Sequence, residues 1–167
     1  SEARRVAHAT DLIEYVAAFT KHTSFELWEN TIADIVYTAL KTPLFKGVCP
    51  LAEISDSECY REMEFAFPAE PAFGFDGYLK GVIDLVFRYE GHCFLVDWKS
   101  NWLGTDITAY NDTNMRKTME ESDYFLQALI YKNALNRYLK LMDGTAIKGS
   151  AYVFLRGISP NTGIIHV

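Results

Sequence analysis

Cysteine is scarce: Cys49, Cys59 and Cys93 are the whole set, and an odd number without Cys-x-x-Cys spacing indicates neither a disulfide framework nor a four-cysteine zinc or iron-sulfur site. A reducing, cytoplasmic setting is expected. No apolar run approaches the ~20 residues that cross a bilayer, so a soluble protein with no membrane partner is expected. Nothing resembles Gly-x-x-x-x-Gly-Lys-Ser/Thr, so no nucleotide is expected at a P-loop in this chain. The chain opens on Ser1 rather than Met, without a basic segment, apolar stretch and small-residue cleavage site, and reads as a fragment of something longer. Internal repeats and low-complexity tracts are missing too. Basic residues are in deficit, 16 against 22 acidic ones for a formal charge of -6. That argues against a free-standing nucleic-acid binder, because nonspecific duplex affinity comes mostly from cations neutralising phosphates. The argument weakens if the acids cluster around bound cations or if partner subunits supply a basic channel.

What is present is a globular composition of 49% hydrophobic and 14% aromatic residues over 167 positions, enough for one compact domain with a single core. Residues from about Ala9 to Leu40 follow a helical pattern through Leu12, Val16, Phe19, Leu27, Ile35, Val36 and Leu40, with a break near His22 to Ser24 and a stop at Thr42-Pro43. Tyr60 to Phe67 reads as a strand ended by Pro68, and Ala69 to Asp76 as a loop. Tyr78 to Arg88 and His92 to Lys99 read as central strands, apolar on both sides and therefore covered by helices above and below. One long helix is predicted from about Thr113 to Met142, closed by Asp143-Gly144, followed by a last short strand over Ser150 to Leu155. The expected architecture is α/β, a mixed sheet of about four strands flanked by helices, with residues 1-42 as a helical N-terminal part and 58-157 as the catalytic core of a single domain spanning 1-167.

Two acids interrupt the near-continuous apolar strands, where acids are rare. Glu90-Gly91 is a weaker relative of the Asp-Gly hairpin turn. If the turn is centred between them, Asp84 falls directly opposite Asp97. Opposed side chains on antiparallel strands have Cβ atoms about 4.5-5.5 Å apart, and like charges there repel. Lys99, two residues past Asp97, shares its face by strand alternation. One lysine does not account for both acids, whereas a divalent cation does. Hard oxygen ligands suit Mg²⁺, which takes one or two carboxylates and keeps waters that substrate oxygens can replace. The chemistry that fits is phosphodiester hydrolysis, the metal activating water and offsetting charge on the leaving oxygen and Lys99 orienting that water or stabilising the phosphorane. The plainer reading is a set of solvated or paired strand-end charges, and a bare Asp-x-Lys is common by chance.

Gly81-Val82-Ile83-Asp84-Leu85-Val86-Phe87 followed by Val96-Asp97-Trp98-Lys99-Ser100-Asn101-Trp102-Leu103-Gly104 resembles one family closely: the C-terminal nuclease domain of the RecB (beta) subunit of exodeoxyribonuclease V, the RecBCD helicase-nuclease, within the PD-(D/E)XK superfamily. The likeness continues through Tyr124, Gln127 and Tyr131 and reaches Tyr152-Val153-Phe154-Leu155-Arg156-Gly157. The resemblance implies a restriction-endonuclease-like core, Asp84 and Asp97 as metal ligands with the Trp98 main-chain carbonyl as a further one, and Lys99 as the catalytic lysine. Gln127 and Tyr131, four apart on one helical face with Tyr124 a turn earlier, would steady Lys99 or a phosphate; alternatively they are ordinary polar residues on a packed helix. Glu64 matches an acidic strand position of the family, or is a solvated strand acid. The implied activity is Mg²⁺-dependent exodeoxyribonuclease action on DNA in double-strand-break repair and recombination, with RecC and RecD subunits and a recombinase as partners and ATP bound only in a helicase part outside this fragment. One departure stands out. The family's extra metal-binding histidine, in a Gly-Thr-x-x-His type motif, has no counterpart, since His8 follows Val6-Ala7 and His22 follows Thr20-Lys21. Two rivals remain open: a noncatalytic docking domain with a nuclease fold, and a restriction or tRNA-cleaving nuclease of the same superfamily.

Overall fold

The computed structural model describes residues 7-69 and 77-167. Most of the predicted loop from Ala69 to Asp76 lies outside them. Five strands form one sheet in the order β1 to β5: β1 (Cys59–Pro68), β2 (Tyr78–Tyr89), β3 (His92–Lys99), β4 (Ile147–Phe154) and β5 (Ile164–His166). β3 and β4 run parallel, and the other neighbours are antiparallel. The sheet is therefore mixed, as expected, but has one strand more than foreseen. The fifth is three residues long, too short for an alternating pattern to reveal.

The β2–β3 hairpin follows from its turn. Glu90 and Gly91 both adopt positive φ, 48° and 76°, as a two-residue turn matched to strand twist requires. Tyr89 then pairs with His92, and the register runs back to Leu85 opposite Val96. Side-chain alternation divides β3 between two cores. Phe94 and Val96 join Leu85, Phe87, Ala151 and Val153 on one face of the sheet, and Cys93 and Leu95 join Val86 on the other.

The first face is covered by the end of α2 (Glu29–Lys41) and the segment after it, through Ala39, Leu44, Phe45 and Leu51. The second carries α3 (Asp112–Glu121) and α4 (Tyr124–Met142). Leu135 and Leu139 of α4 seal Leu95 and Ile83, and Met115 and Met119 of α3 seal Tyr152 and Phe154. Sheet strands buried on both faces read as apolar runs for this reason.

Two helical expectations are corrected. The single helix from Thr113 to Met142 is two helices, broken at Ser122 and Asp123, the latter left-handed with φ 55°. Glu120 and Glu121 place negative charge at the carbonyl end of α3, where the helix dipole disfavours it, and Ser and Asp compete with helical hydrogen bonding. At the N-terminus, Phe19 and Leu27 do not join the core; they are 71% and 93% exposed. Leu12 and Val16, just before and within α1 (Ile13–Thr20), instead meet Ala33 of α2. The chain breaks at His22, with φ 64°, where the pattern places it, and Val36 and Leu40 beyond it do pack on the core.

Candidate active site

The sheet changes face where the acids lie. On β1, Arg61 pairs with Leu85 and Met63 with Ile83, and Glu62 between them takes a left-handed φ of 51°. Ile83 and Val86 consequently share the α4 face although they are three apart. Asp84 sits at this irregularity and its Oδ2 accepts the Trp98 N–H at 2.8 Å. The β2–β3 ladder stops at Leu85–Val96. A strand residue presents its N–H and C=O to the same neighbour, so the Trp98 carbonyl belongs to the edge where β2 and β3 part.

Asp97 is buried on the α4 face, opposite Tyr152 in the parallel register. Its Oδ1 lies 2.5 Å from Lys99 Nζ. The contact is a close ion pair, and Lys99 is the partner of that buried oxygen. Burial pushes the Asp97 carboxyl above its ordinary range, Lys99 opposes that shift, and the nearby Asp84 adds to it. Asp84 is thus close enough to Asp97 to act on its charge.

Lys99 is held from three directions. Its Nζ donates to Gln127 Oε1 at 2.8 Å, and lies 3.7 Å from the centre of the Tyr124 ring and 4.9 Å from that of Tyr152. Gln127 Nε2 donates to Tyr131 Oη at 2.9 Å, and Tyr152 Oη donates to Gln127 Oε1 at 3.1 Å. Burial and the two carboxylates raise Tyr152 well above the ordinary phenol range, and burial raises Tyr131. Both phenols therefore stay protonated at neutral pH. Gln127 is the hub: one amide ties the lysine to two tyrosines.

Six of the eight residues singled out in the sequence surround this point through side chains: Asp84, Asp97, Lys99, Tyr124, Gln127 and Tyr131. Trp98 contributes its backbone, its ring packing on the opposite face. Glu64 is not brought in. Its neighbours Met63 and Phe65 face the α4 core, so alternation turns Glu64 away, and it is exposed. Tyr152 is a site residue that pattern reading passed over. The available signal was a hydroxyl inside an otherwise apolar strand, and such a buried Tyr needs a partner.

The donor set fits a divalent cation in part. Asp97 is a buried carboxylate, and Asp84 supplies a second. Among the described residues no three His, Cys, Asp or Glu side chains converge. Two carboxylates with a carbonyl nearby match Mg²⁺, which keeps several waters, better than a fully protein-ligated ion. Beside the site a cleft of about 380 Å³ is lined by Tyr124, Gln127, Tyr131, Gly81 and Lys80. A Cβ on Gly81 would come within 2.8 Å of the Phe65 ring.

A mixed five-stranded sheet with two acids and a lysine at the end of its central hairpin defines the class, an α/β protein with a PD-(D/E)XK-like core. Comparison with known proteins gives the family. The RecBCD enzyme subunit RecB of Escherichia coli (strain K12) is 35% identical over 170 residues, covering 82% of this chain. That of Haemophilus influenzae is 31% identical over 86% of the chain, and that of Chlamydia pneumoniae 27% over 88%. The chain belongs to the RecB family. It spans about one seventh of the length of these relatives, 14% in each case. No family model matches the chain.

Proposed function

We propose that this chain is the nuclease domain of an exodeoxyribonuclease V of the RecBCD type, hydrolysing DNA phosphodiester bonds with Mg²⁺ during double-strand-break repair and recombination. The observation that carries the proposal is the buried Asp97–Lys99 pair with Asp84 close enough to act on the Asp97 charge. Asp84, Asp97 and the Trp98 carbonyl would hold the metal. When bound, Mg²⁺ supplies Lewis acidity toward a phosphate oxygen and makes water more acidic.

The chain's own groups do the rest. Lys99, fixed by Gln127 and by the Tyr124 ring, presents its ammonium to the attacking water or to the negative charge that grows on phosphorus. Gln127 gives the lysine a second anchor beside Asp97. Tyr131 and Tyr152 hold the amide in the orientation that offers its oxygen to Lys99. Pre-set donors of this kind need no rearrangement as charge develops.

A net charge of -6 is poor for gathering DNA unaided. The proposal therefore includes partner subunits, RecC and RecD in the RecBCD assembly, that deliver the strand in the cytoplasm. ATP would act only outside this chain. Mg²⁺-dependent cleavage of single-stranded DNA by the protein, set against Asp84→Ala, tests the reading. Cleavage by the parent and none by the variant is expected; equal cleavage would favour a docking domain that merely keeps the fold.

A further inference from the structure

A second cavity, of about 600 Å³, opens beyond Lys99. Its size falls within the range of roughly 300-1,000 Å³ typical of small-ligand sites. Phe25, Trp28, Ile32, Trp102, Tyr110 and Arg156 are among the residues that line it. Trp28 and Trp102 are 58% and 63% exposed, although large aromatic side chains bury most of their area when they serve only the core.

Three observations say what the cavity fits. The first is position. Trp102 follows Lys99 by three residues and Arg156 follows the end of β4 by two, so the cavity lies at the carboxyl ends of the parallel β3–β4 pair. Ligands of α/β sheets bind at such ends. The second is linkage to the site. Tyr110 Oη donates to the Asn101 carbonyl and accepts from Leu103 N–H, both at 3.3 Å. Asn101 Oδ1 in turn accepts from Tyr124 Oη at 3.3 Å, and the Tyr124 ring lies under Lys99. Tyr110 of the cavity lining and the Tyr124 ring beside the lysine are thus tied to one asparagine.

The third is charge. Arg156 has no ion-pair partner among the described residues. The acids of the adjoining connection are engaged locally: Glu26 accepts from His22 N–H and Glu29 from Thr20 Oγ1. Aromatic faces beside an unpaired guanidinium match one unit of a single strand, a flat base next to a phosphate. A base paired in a duplex presents no free face to enter such a slot.

We propose that this cavity is a base-stacking subsite, in which one unpaired base of a single-stranded DNA lies against Trp28 and Trp102 and its phosphate meets Arg156. The inference rests on the nuclease reading and deepens it, because the strand so anchored would run past Asn101 to Lys99.

The test is a titration of the full chain with oligodeoxythymidylate in chelator, following tryptophan fluorescence, since two of the three tryptophans line the cavity. Quenching on binding is expected. Trp102→Ala and Trp28→Ala should each weaken binding about fivefold or more, and Trp102→Phe should recover much of the loss. Arg156→Gln should reduce the salt slope by about one phosphate. All three positions are exposed, and unchanged circular dichroism will confirm the fold. An oligonucleotide of abasic residues should bind the parent weakly and be indifferent to Trp102→Ala. Equal affinity of parent, Trp102→Ala and Arg156→Gln for oligodeoxythymidylate would overturn the subsite, as would abasic binding as tight as that of the thymidylate. The two readings separate cleanly. Loss of cleavage in Asp84→Ala with normal binding by the tryptophan variants sinks the subsite alone. Undiminished cleavage in Asp84→Ala with weakened tryptophan variants sinks the nuclease reading and leaves a single-strand-binding cavity.

Discussion

Asp84 and Trp98 meet across the point where β2 and β3 part, the carboxylate taking the place of a backbone acceptor for the Trp98 N–H at 2.8 Å. Asp84 therefore has a structural duty besides any chemical one, and the two can be separated by substitution. Asn keeps an oxygen of the same reach and loses the charge. Asp84→Asn should melt close to the parent temperature while cleavage falls by more than about 100-fold, the upper end of what losing a supporting partner costs. Asp84→Ala also strips a part-buried N–H of its acceptor and should lose about 1-3 kcal/mol of stability in addition. Calorimetry beside a cleavage assay reads both. An Asn variant as active as the parent would remove the carboxylate from the chemistry.

Gln127 offers a test of positioning. Its amide carries Lys99, Tyr131 and Tyr152 together. Gln127→Ala should lower kcat by about 10- to 100-fold, as for other groups that orient a reacting one, with KM for the strand little changed. Gln127→Glu keeps the acceptor for Lys99 and adds charge beside Asp97, so it should bind divalent metal differently while still holding the lysine. A purely architectural glutamine would instead shift melting temperature in step with activity in both variants.

The hairpin was the most legible part of the chain, because a two-residue turn at Glu90 and Gly91 fixes every pair behind it. Its reading placed Asp84 opposite Asp97 by strict alternation. The structure ends the ladder at Leu85–Val96 and sets Asp84 near Asp97 at a face switch around Glu62 and Asp84, which leaves no periodic mark in the sequence. Glu64 shows the price of missing it, since the switch sets the side each later β1 residue takes. The helix break at Asp123 was illegible for a related reason: Tyr124, Gln127 and Tyr131 keep helical spacing among themselves whether or not α3 continues into α4. Tyr152 was hidden as one more aromatic in an apolar strand, and only the parallel register beside Asp97 gives it a role.

Asp143 gives the fold an acid-sensitive latch. Its carboxylate caps Thr145 N–H at 2.9 Å and pairs with Arg88 at 2.6 Å, joining the end of α4 to β2. The Thr145 hydrogen bonds, then Arg88, pull its pKa down from 3.8 to about 2. A lowered carboxyl contributes stability that is fully present above the unfolded value and is lost as pH falls through the folded one. Between pH 3.8 and about 2 the parent should therefore lose stability that Asp143→Asn lacks at every pH. Urea midpoints measured across that range should converge toward the acid end. Parallel curves for the two proteins would show that the latch does not titrate as described.

Divalent metal should be felt by the fold as well as by the substrate. Asp97 is buried with its carboxyl raised by desolvation, and one of its oxygens touches only Lys99. A cation that settles between Asp97 and Asp84 binds the folded chain alone, so it should raise the melting temperature by mass action. At a metal concentration of 100 times Kd the gain is about 2.7 kcal/mol. Asp97→Asn should abolish the shift, and by leaving the buried Lys99 without its counter-ion it should also lower the metal-free melting temperature. Lys99→Met should behave in the opposite sense. It leaves a buried carboxylate without a cation, a loss of about 3-5 kcal/mol, and Mg²⁺ or Mn²⁺ should then stabilise the variant more than it stabilises the parent. Thermal melts of the three proteins across a metal titration decide the matter without reference to cleavage. Equal shifts in the parent and in Asp97→Asn would place the cation elsewhere and leave the Asp97–Lys99 pair as a structural ion pair.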